Sequence, residues 1–216
     1  MGDVLQKQKF EIRLAMAEDA EIIHAGLLMI ARHLKAEGKV TSTIEDIRRH
    51  GFGPQPAFEV LIAEVGLAPS SPQRGEGGPQ GRMRGAIGPE FADIPPHLPL
   101  GPLLPDGEKR EAIFAGMCLF FPSFSTWRGQ KGAYIQDIVV DERFRGFGVG
   151  VALVRHTAAH VRAGGGTYLR LSVDAENVSA QHFYERLGLS WSRDERIHAA
   201  YGDAFEALAG QHESGV

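Results

Sequence analysis

Only one of the 216 residues is a cysteine, Cys118. A single thiol excludes an internal disulfide framework and any multi-cysteine metal site, and it suits a reducing, cytoplasmic setting. It lies in the apolar run "IFAGMCLFF", where the expected role is that of a small buried hydrophobe. No block of lysines and arginines stands out and the formal net charge is −4. Neither nucleic acid nor an anionic membrane is therefore an expected partner. No stretch approaches the ~20 apolar residues of a membrane span. The start, "MGDVLQKQKFEIRLA", lacks the apolar core of a secretory leader, and Gln6 breaks the lipidation pattern at Gly2.

What is present suits one globular domain, expected over residues 9–210, with 43% apolar content. "FEIRLAM" (Phe10–Met16) alternates like a strand. The following apolar residues, from Ile22 to Leu34, have helical spacing, with Asp19 as the expected cap. "TSTIEDIRR" carries a capping-box signal for a second helix over Thr43–Arg49, and "AFEVLIAEV" (Ala57–Val65) reads as a strand. From Gly66 to Glu111 the composition changes, and nine of the twelve prolines fall there. Such a segment cannot supply a regular core element, and it reads as a surface insertion or a polyproline ligand for a partner. Strands then follow in "AIFAGMCLFFPSFS", which Pro122 is expected to end, in "GAYIQDIVVD" and in "GGGTYLRLSVD". Helices follow in "VGVALVRHTAAHVRA" and "NVSAQHFYERLGL", the second capped by Gly188. The apolar segment near Ala199–Leu208 fits a strand or a helix. The alternation of elements predicts an α/β (α+β) domain around a mixed sheet.

One stretch carries the chemistry. In "RGFGVGVALVRHTAAHVRAGGG" three alternating glycines, Gly146, Gly148 and Gly150, stand between an arginine and an amphipathic helix. A P-loop needs a lysine after its glycines, and none follows. A dinucleotide fingerprint needs a third glycine where Val151 stands. What remains is Arg/Gln-x-x-Gly-x-Gly/Ala between strand and helix. Glycines let a turn's amides face an anion, and the helix adds unpaired N–H groups and the positive end of its dipole. A pyrophosphate is the natural guest; a tight turn with no ligand is the plain alternative.

With its neighbourhood, this stretch resembles the GNAT N-acetyltransferases. "YIQDIVVDERFRGFGVG" is similar to their central strand and pyrophosphate loop, and "VDAENVSAQHFYERLGL" to the strand, Asn and Phe-Tyr helix that complete the cofactor site. "GFGPQPAFEVLIAEV" and "FFPSFSTWRG" are most similar to the diamine (spermidine/spermine) N-acetyltransferase group. The resemblance covers nearly all of the chain except 66–111. It implies a mostly antiparallel sheet flanked by helices, with strands diverging around acetyl-CoA. It implies pantetheine contacts from Ile138, Val139 and Val140, and pyrophosphate contacts from Arg145, Gly146, Phe147, Gly148, Val149, Gly150 and Val151. Asn177 would meet the cofactor arm or cap its helix, and Tyr184 would protonate the leaving thiolate. A phenol of pKa about 10 suits a thiolate of pKa about 8.5. Core packing is the other reading of Tyr184 and the expected role of Phe183. The group's homodimers imply the same assembly here, with C-terminal segments crossing between subunits.

Two departures bear on the acceptor. The diamine enzymes carry an acidic pair on the strand where this chain has Gln136-Asp137. Gln136 cannot take a proton, and strict alternation points Asp137 to the opposite face, unless an irregularity of the strand changes that. Glu142, Asp174, Glu176 or a chain of waters are other routes for the proton. In addition, "ARHLKAEGKV" sets Arg32, Lys35 and Lys39 against Glu37 alone. That suits an acceptor bearing a carboxylate beside its amine, such as a lysine-like amino acid or its thioether analogue. Gln136, Asp137 and Glu37 are the expected acceptor contacts. His156 and His160, four apart on a helix, lack the glutamate context of a zinc site, and no metal is expected. The leading expectation is an acetyl-CoA-dependent N-acetyltransferase acting on a small primary amine by direct attack. A catalytically reduced acyl-CoA-binding module and a protein acetyltransferase are the alternatives.

Overall fold

A computed structural model describes residues 10–66, 112–193 and 195–210. The proline-rich insertion expected at 66–111 lies, but for Gly66, outside them. The chain divides into two compact units after Ser172. The first holds a sheet of five strands in sequence order: β1 (Phe10–Leu14), β2 (Glu59–Gly66), β3 (Ala112–Ser125), β4 (Gln130–Val140) and β5 (Tyr168–Leu171). The first three pairings are antiparallel and β4–β5 is parallel, so the sheet is mixed, as expected.

Two apolar faces sandwich the sheet between helices. On one side α1 (Ala20–His33) and α2 (Ile44–Phe52) supply Ile23 and Ile47 to a cluster with Ile62, Met117 and Val139. On the other, α3 (Val149–Ala163) supplies Val149 and Leu153 to a cluster with Ala63, Cys118, Phe120 and Ile135. Helix α2 begins where its capping box predicted: Thr43 Oγ1 accepts from the Asp46 N–H at 3.1 Å, and Asp46 accepts from the Thr43 N–H at 2.8 Å. Helix α3 matches the amphipathic run residue for residue.

Asp19 stands at the α1 N-cap, as expected, but makes no capping bond to the helix. Its carboxylate accepts from the Met16 N–H at 2.7 Å and from Arg13 at 2.7 and 2.8 Å. Arg13 also donates to both oxygens of Glu64, at 3.1 and 2.6 Å. One guanidinium thus ties β1, β2 and the start of α1. Burial works against the charge of Arg13, but the bonds to Asp19 and Glu64 outweigh it and raise its pKa.

Strand β3 runs through Pro122 to Ser125 rather than ending there. Its pairing with β2 stops at Phe120, so Pro122 lies where β3 is paired on one side only, the setting in which sheets tolerate proline. The second unit holds α4 (Val178–Arg186) and α5 (Asp203–Ala209). The segment left open between strand and helix near Ala199–Leu208 is helical from Asp203 on, and none of it is strand. No helix among the described residues is long and apolar enough to cross a membrane.

Candidate active site

The parallel ladder between β4 and β5 pairs Gly132–Ile135 with Tyr168–Leu171 and then stops. Tyr134 braces the last part of this ladder: its ring stacks on Phe121 at 5.2 Å, and its hydroxyl lies 2.6 Å from Ser172 Oγ. Beyond it, Asp137–Val140 remain paired with β3, while no described strand pairs with their other edge. Ile138, Val139 and Val140 lie on this stretch. The Asp141 N–H donates to Ala115 C=O of β3 at 3.0 Å, so by alternation Val139 faces β3 while the backbone groups of Ile138 and Val140 face outward, an edge that an extended amide-bearing arm can join.

At the point where the ladder stops, β4 bulges. Leu119 pairs with Asp137 and the next residue, Phe120, with Ile135, leaving Gln136 as the extra residue. The core records the slip. Ala133 and Ile135 pack toward α3, and so do Ile138 and Val140, an odd-to-even change of phase. Asp137 therefore shares the α1–α2 face with Val139 and with Leu119 opposite, while Gln136 follows Tyr134 on that same face. Strict alternation put the two on opposite faces; the bulge overrides it. Gln136 is exposed and Asp137 half-buried. Burial pushes the Asp137 carboxyl above its ordinary pKa, the direction that makes a carboxylate a better proton acceptor.

After β4 the chain makes a short 3-10 turn, Glu142–Phe144, and reaches the glycines. Phe144 is buried in the α3-side cluster and anchors the turn. Asp141 accepts from the Arg143 N–H and Nε, both at 2.9 Å, and pairs with its terminal nitrogen at 2.7 Å. Burial opposes the charge on Asp141, but these bonds from Arg143 prevail and hold its carboxyl below the usual range. Arg143 is thereby engaged within the turn, whereas Arg145 is exposed and meets the exposed Glu142 at 3.4 Å.

Gly146 and Gly148 have φ of +83° and +84°, while Phe147 between them does not have a positive φ. Alternating hand is the backbone geometry that gathers successive N–H groups into an anion-binding concavity. A Cβ built on either glycine would find nothing within 4 Å, so the space over the turn is open. Val149, Gly150 and Val151 form the first turn of α3, ahead of the first intrahelical bond, from Ala152 N–H to Gly148 C=O at 3.0 Å. Their N–H groups and the helix dipole supply the positive end that a pyrophosphate requires. These residues fit the phosphate-bearing cosubstrate that the spacing predicts.

Elsewhere in this unit, Glu37 is exposed on the 3-10 turn Glu37–Lys39 after α1. Cys118 is fully buried, and burial pushes its thiol up to about 12; the Thr157 hydrogen bond at 3.3 Å opposes this and the Asp137 charge adds to it. The two histidines of α3 already have partners: His156 Nδ1 lies 2.9 Å from Ala152 O and His160 Nε2 lies 2.8 Å from Glu59. Among the described residues no cluster of three metal-ligating side chains occurs.

In the second unit Asn177 caps α4, its Oδ1 accepting from the Ala180 N–H at 3.1 Å. Tyr184 is buried and Phe183 only half-buried, which reverses the expectation that Phe183 is the core residue of the pair. Their rings meet edge to face at 5.0 Å. Gly188, at φ +87°, follows the helix as the expected terminator.

Residues 81–189 match the acetyltransferase (GNAT) family, half of the chain. The chain belongs to the GNAT family. It is an N-acetyltransferase, and enzymes of this family take acetyl-CoA as cosubstrate. Among similar proteins is a thialysine N-epsilon-acetyltransferase of Bos taurus, 27% identical over 203 residues, covering 93% of this chain and 97% of that one. The L-ornithine N5-acetyltransferase NATA1 of Arabidopsis thaliana is 28% identical over 207 residues, covering 91% of this chain and 86% of that one. The integron cassette protein VCH_CASS6 from V. cholerae shares the fold with a TM-score of 0.62 at 14% identity, over 94% of this chain and 99% of that one.

Within this GNAT acetyltransferase, the glycine loop was readable because its conformation is local. The position of the bulge was not read, although the sequence holds a trace of it: apolar residues step by three from Ile135 to Ile138 where strand alternation requires two.

Proposed function

We propose that the enzyme transfers the acetyl group of acetyl-CoA to the primary amine of a small molecule, diamine-like or lysine-like, by direct attack. The observation that carries this reading is the β4 bulge at the end of the β4–β5 ladder. It sets Asp137 beside the open edge, on the face covered by α1 and α2. Ile138, Val139 and Val140 hold the pantetheine arm along that edge. Arg145, Gly146, Phe147, Gly148, Val149, Gly150 and Val151 hold the pyrophosphate. The amine nitrogen attacks the thioester carbonyl carbon and its proton passes to Asp137. The carbon–sulfur bond breaks, and Tyr184 gives its phenolic proton to the departing thiolate. Asn177 spends its side-chain oxygen on the cap of α4, which leaves its amide N–H groups for the cofactor arm.

Direct attack is supported by Cys118, whose buried, weakly acidic thiol is unsuited to form an acyl-enzyme. A small amine acceptor is supported by the thialysine and ornithine acetyltransferases to which the chain is similar over nearly its full length. A homodimer is supported by the C-terminal segment, where Trp191 is 75% and Tyr201 83% exposed, apolar surface that a second copy would cover. The cytoplasm, which keeps thiols reduced and holds the cosubstrate, is the proposed site of action.

The test follows free-thiol release from acetyl-CoA with spermidine, short diamines, lysine, thialysine, ornithine and a peptide N-terminus, with Tyr184→Phe beside the wild type. The expected result is turnover on one class of small amine, lowered at least about tenfold in Tyr184→Phe. Binding of acetyl-CoA with no release above background on any amine would overturn the reading.

A further inference from the structure

Lys35 is the one non-glycine residue with a positive φ among the described residues, at +51°. It follows the end of α1 and closes that helix: the Ala36 N–H donates to Ala31 C=O at 2.8 Å and the Lys35 N–H to Arg32 C=O at 3.0 Å. This is the helix-terminating position that glycine fills without cost and a side chain fills at a penalty. The helix dipole does not call for a lysine there, since Arg32 and His33 already place cations in the last turn. A side chain kept against its backbone preference directs attention to what the side chain does.

The course of α1 locates it. The helix starts at Asp19, which Arg13 ties to β1 and β2, and Gly26 lies against Met117 of β3, whose Sδ is 2.7 Å from an ideal Cβ. Seven residues thus carry α1 from β1–β2 to β3. The seven from Gly26 to His33 advance about 10 Å more, and strands lie about 4.8 Å apart, so at the same oblique pace the helix reaches β4 and passes it. Helix α1 packs against both β3 and β4. Its far end and the loop that follows therefore lie toward the open edge of β4, on the face that carries Asp137. There Arg32 of the last helical turn and Lys35 and Lys39 of the loop are exposed, with Glu37 as the sole carboxylate, a net positive surface.

Resting on the acetyl transfer proposed above, we infer that Lys35 selects acceptors that carry a carboxylate at the end opposite the reacting amine. The carboxylate pairs with the Lys35 ammonium, with Arg32 and Lys39 adding to the field, while the amine is directed to Asp137. A diamine presents a second cation to the same surface and is disfavoured. Lys35 is in this sense a specificity residue, remote from the reacting atoms.

Steady-state kinetics on two matched pairs test this: ornithine against putrescine, and lysine against cadaverine, with wild type, Lys35→Gly and Lys35→Arg. The wild type is expected to favour the amino acid of each pair. Lys35→Gly should raise Tm by ~1–4 °C by relieving the backbone, yet raise KM for the amino acids about tenfold. Its kcat and its KM for the diamines should hold or improve, and Lys35→Arg should keep the preference. A merely structural lysine would not split KM by the acceptor's charge. An unchanged amino acid to diamine ratio in an active Lys35→Gly, or a wild type that favours diamines, overturns the inference and leaves the acetyl transfer standing. A wild type inactive on all four amines overturns this inference, and the proposed reaction falls with it only if spermidine, thialysine and the peptide N-terminus also give no thiol release.

Discussion

Replacing Asp137 by Asn should move activity and stability in opposite directions. Asparagine keeps the shape of the side chain and removes its ability to take a proton. Loss of a positioned general base costs about 10²–10⁴ in rate, or ~3–5 kcal/mol of transition-state stabilisation. Thiol release at saturating acetyl-CoA should therefore fall by two orders of magnitude or more in Asp137→Asn, with acetyl-CoA binding by calorimetry unchanged. Stability follows from the direction of the pKa shift. Burial raises the Asp137 carboxyl above its unfolded value of 3.8, so the fold favours the protonated form. The associated stability is fully present below that unfolded value and is lost as pH rises through the folded pKa. At pH 7 the half-buried carboxyl has lost stability on this account, a liability that Asp137→Asn removes. Melting curves should show the variant at or above wild-type Tm at pH 7, the difference closing as pH falls toward ~4. The acid limb of the wild-type kcat/KM profile should likewise lie above 3.8. A variant retaining more than about a third of wild-type turnover would refute the assignment and send the proton to Glu142, Asp174, Glu176 or water. A variant that melts well below wild type at pH 7 would show that the carboxylate serves a structural contact instead.

Arg13→Met leaves Asp19 and Glu64, both largely buried, without their shared cation. It should cost ~3–5 kcal/mol, a fall in Tm of roughly 6–20 °C by calorimetry, and adding Asp19→Asn with Glu64→Gln should restore most of it. Gly148→Ala meets no steric obstacle, but its φ of +84° should cost about 1–2 kcal/mol of stability and weaken acetyl-CoA binding in titration calorimetry. With its thiol pushed up to about 12 and fully buried, Cys118 should resist alkylation at pH 8 in the folded protein and react only as the protein unfolds in denaturant.

How much of this was legible in the sequence depends on the range of the forces concerned. Helix α3 and its glycine loop, the Thr43–Asp46 capping box and the Gly188 terminator were all readable, because capping bonds, amphipathic spacing and left-handed glycines are settled within a few residues. The same local information misjudged Asp19. Its carboxylate lies in the expected place but goes to Arg13 and the Met16 N–H, because β1 and β2, fifty residues apart, bring Glu64 and the guanidinium together beneath α1. Pro122 looked like a strand end, and only the loss of the β2 partner at that level makes it tolerable within β3. The side on which Gln136 and Asp137 stand could not follow from alternation, since a bulge is set by the register between β3 and β4. By itself the sequence determined most of the helices and strands, though not the type of the segment near Ala199–Leu208 or the end of β3, and which turn is shaped for an anion, because those are near-neighbour properties of the backbone. Tertiary structure alone decided where β4 parts from β5 and which carboxylate faces the α1–α2 side, because both depend on pairings between residues distant in the chain.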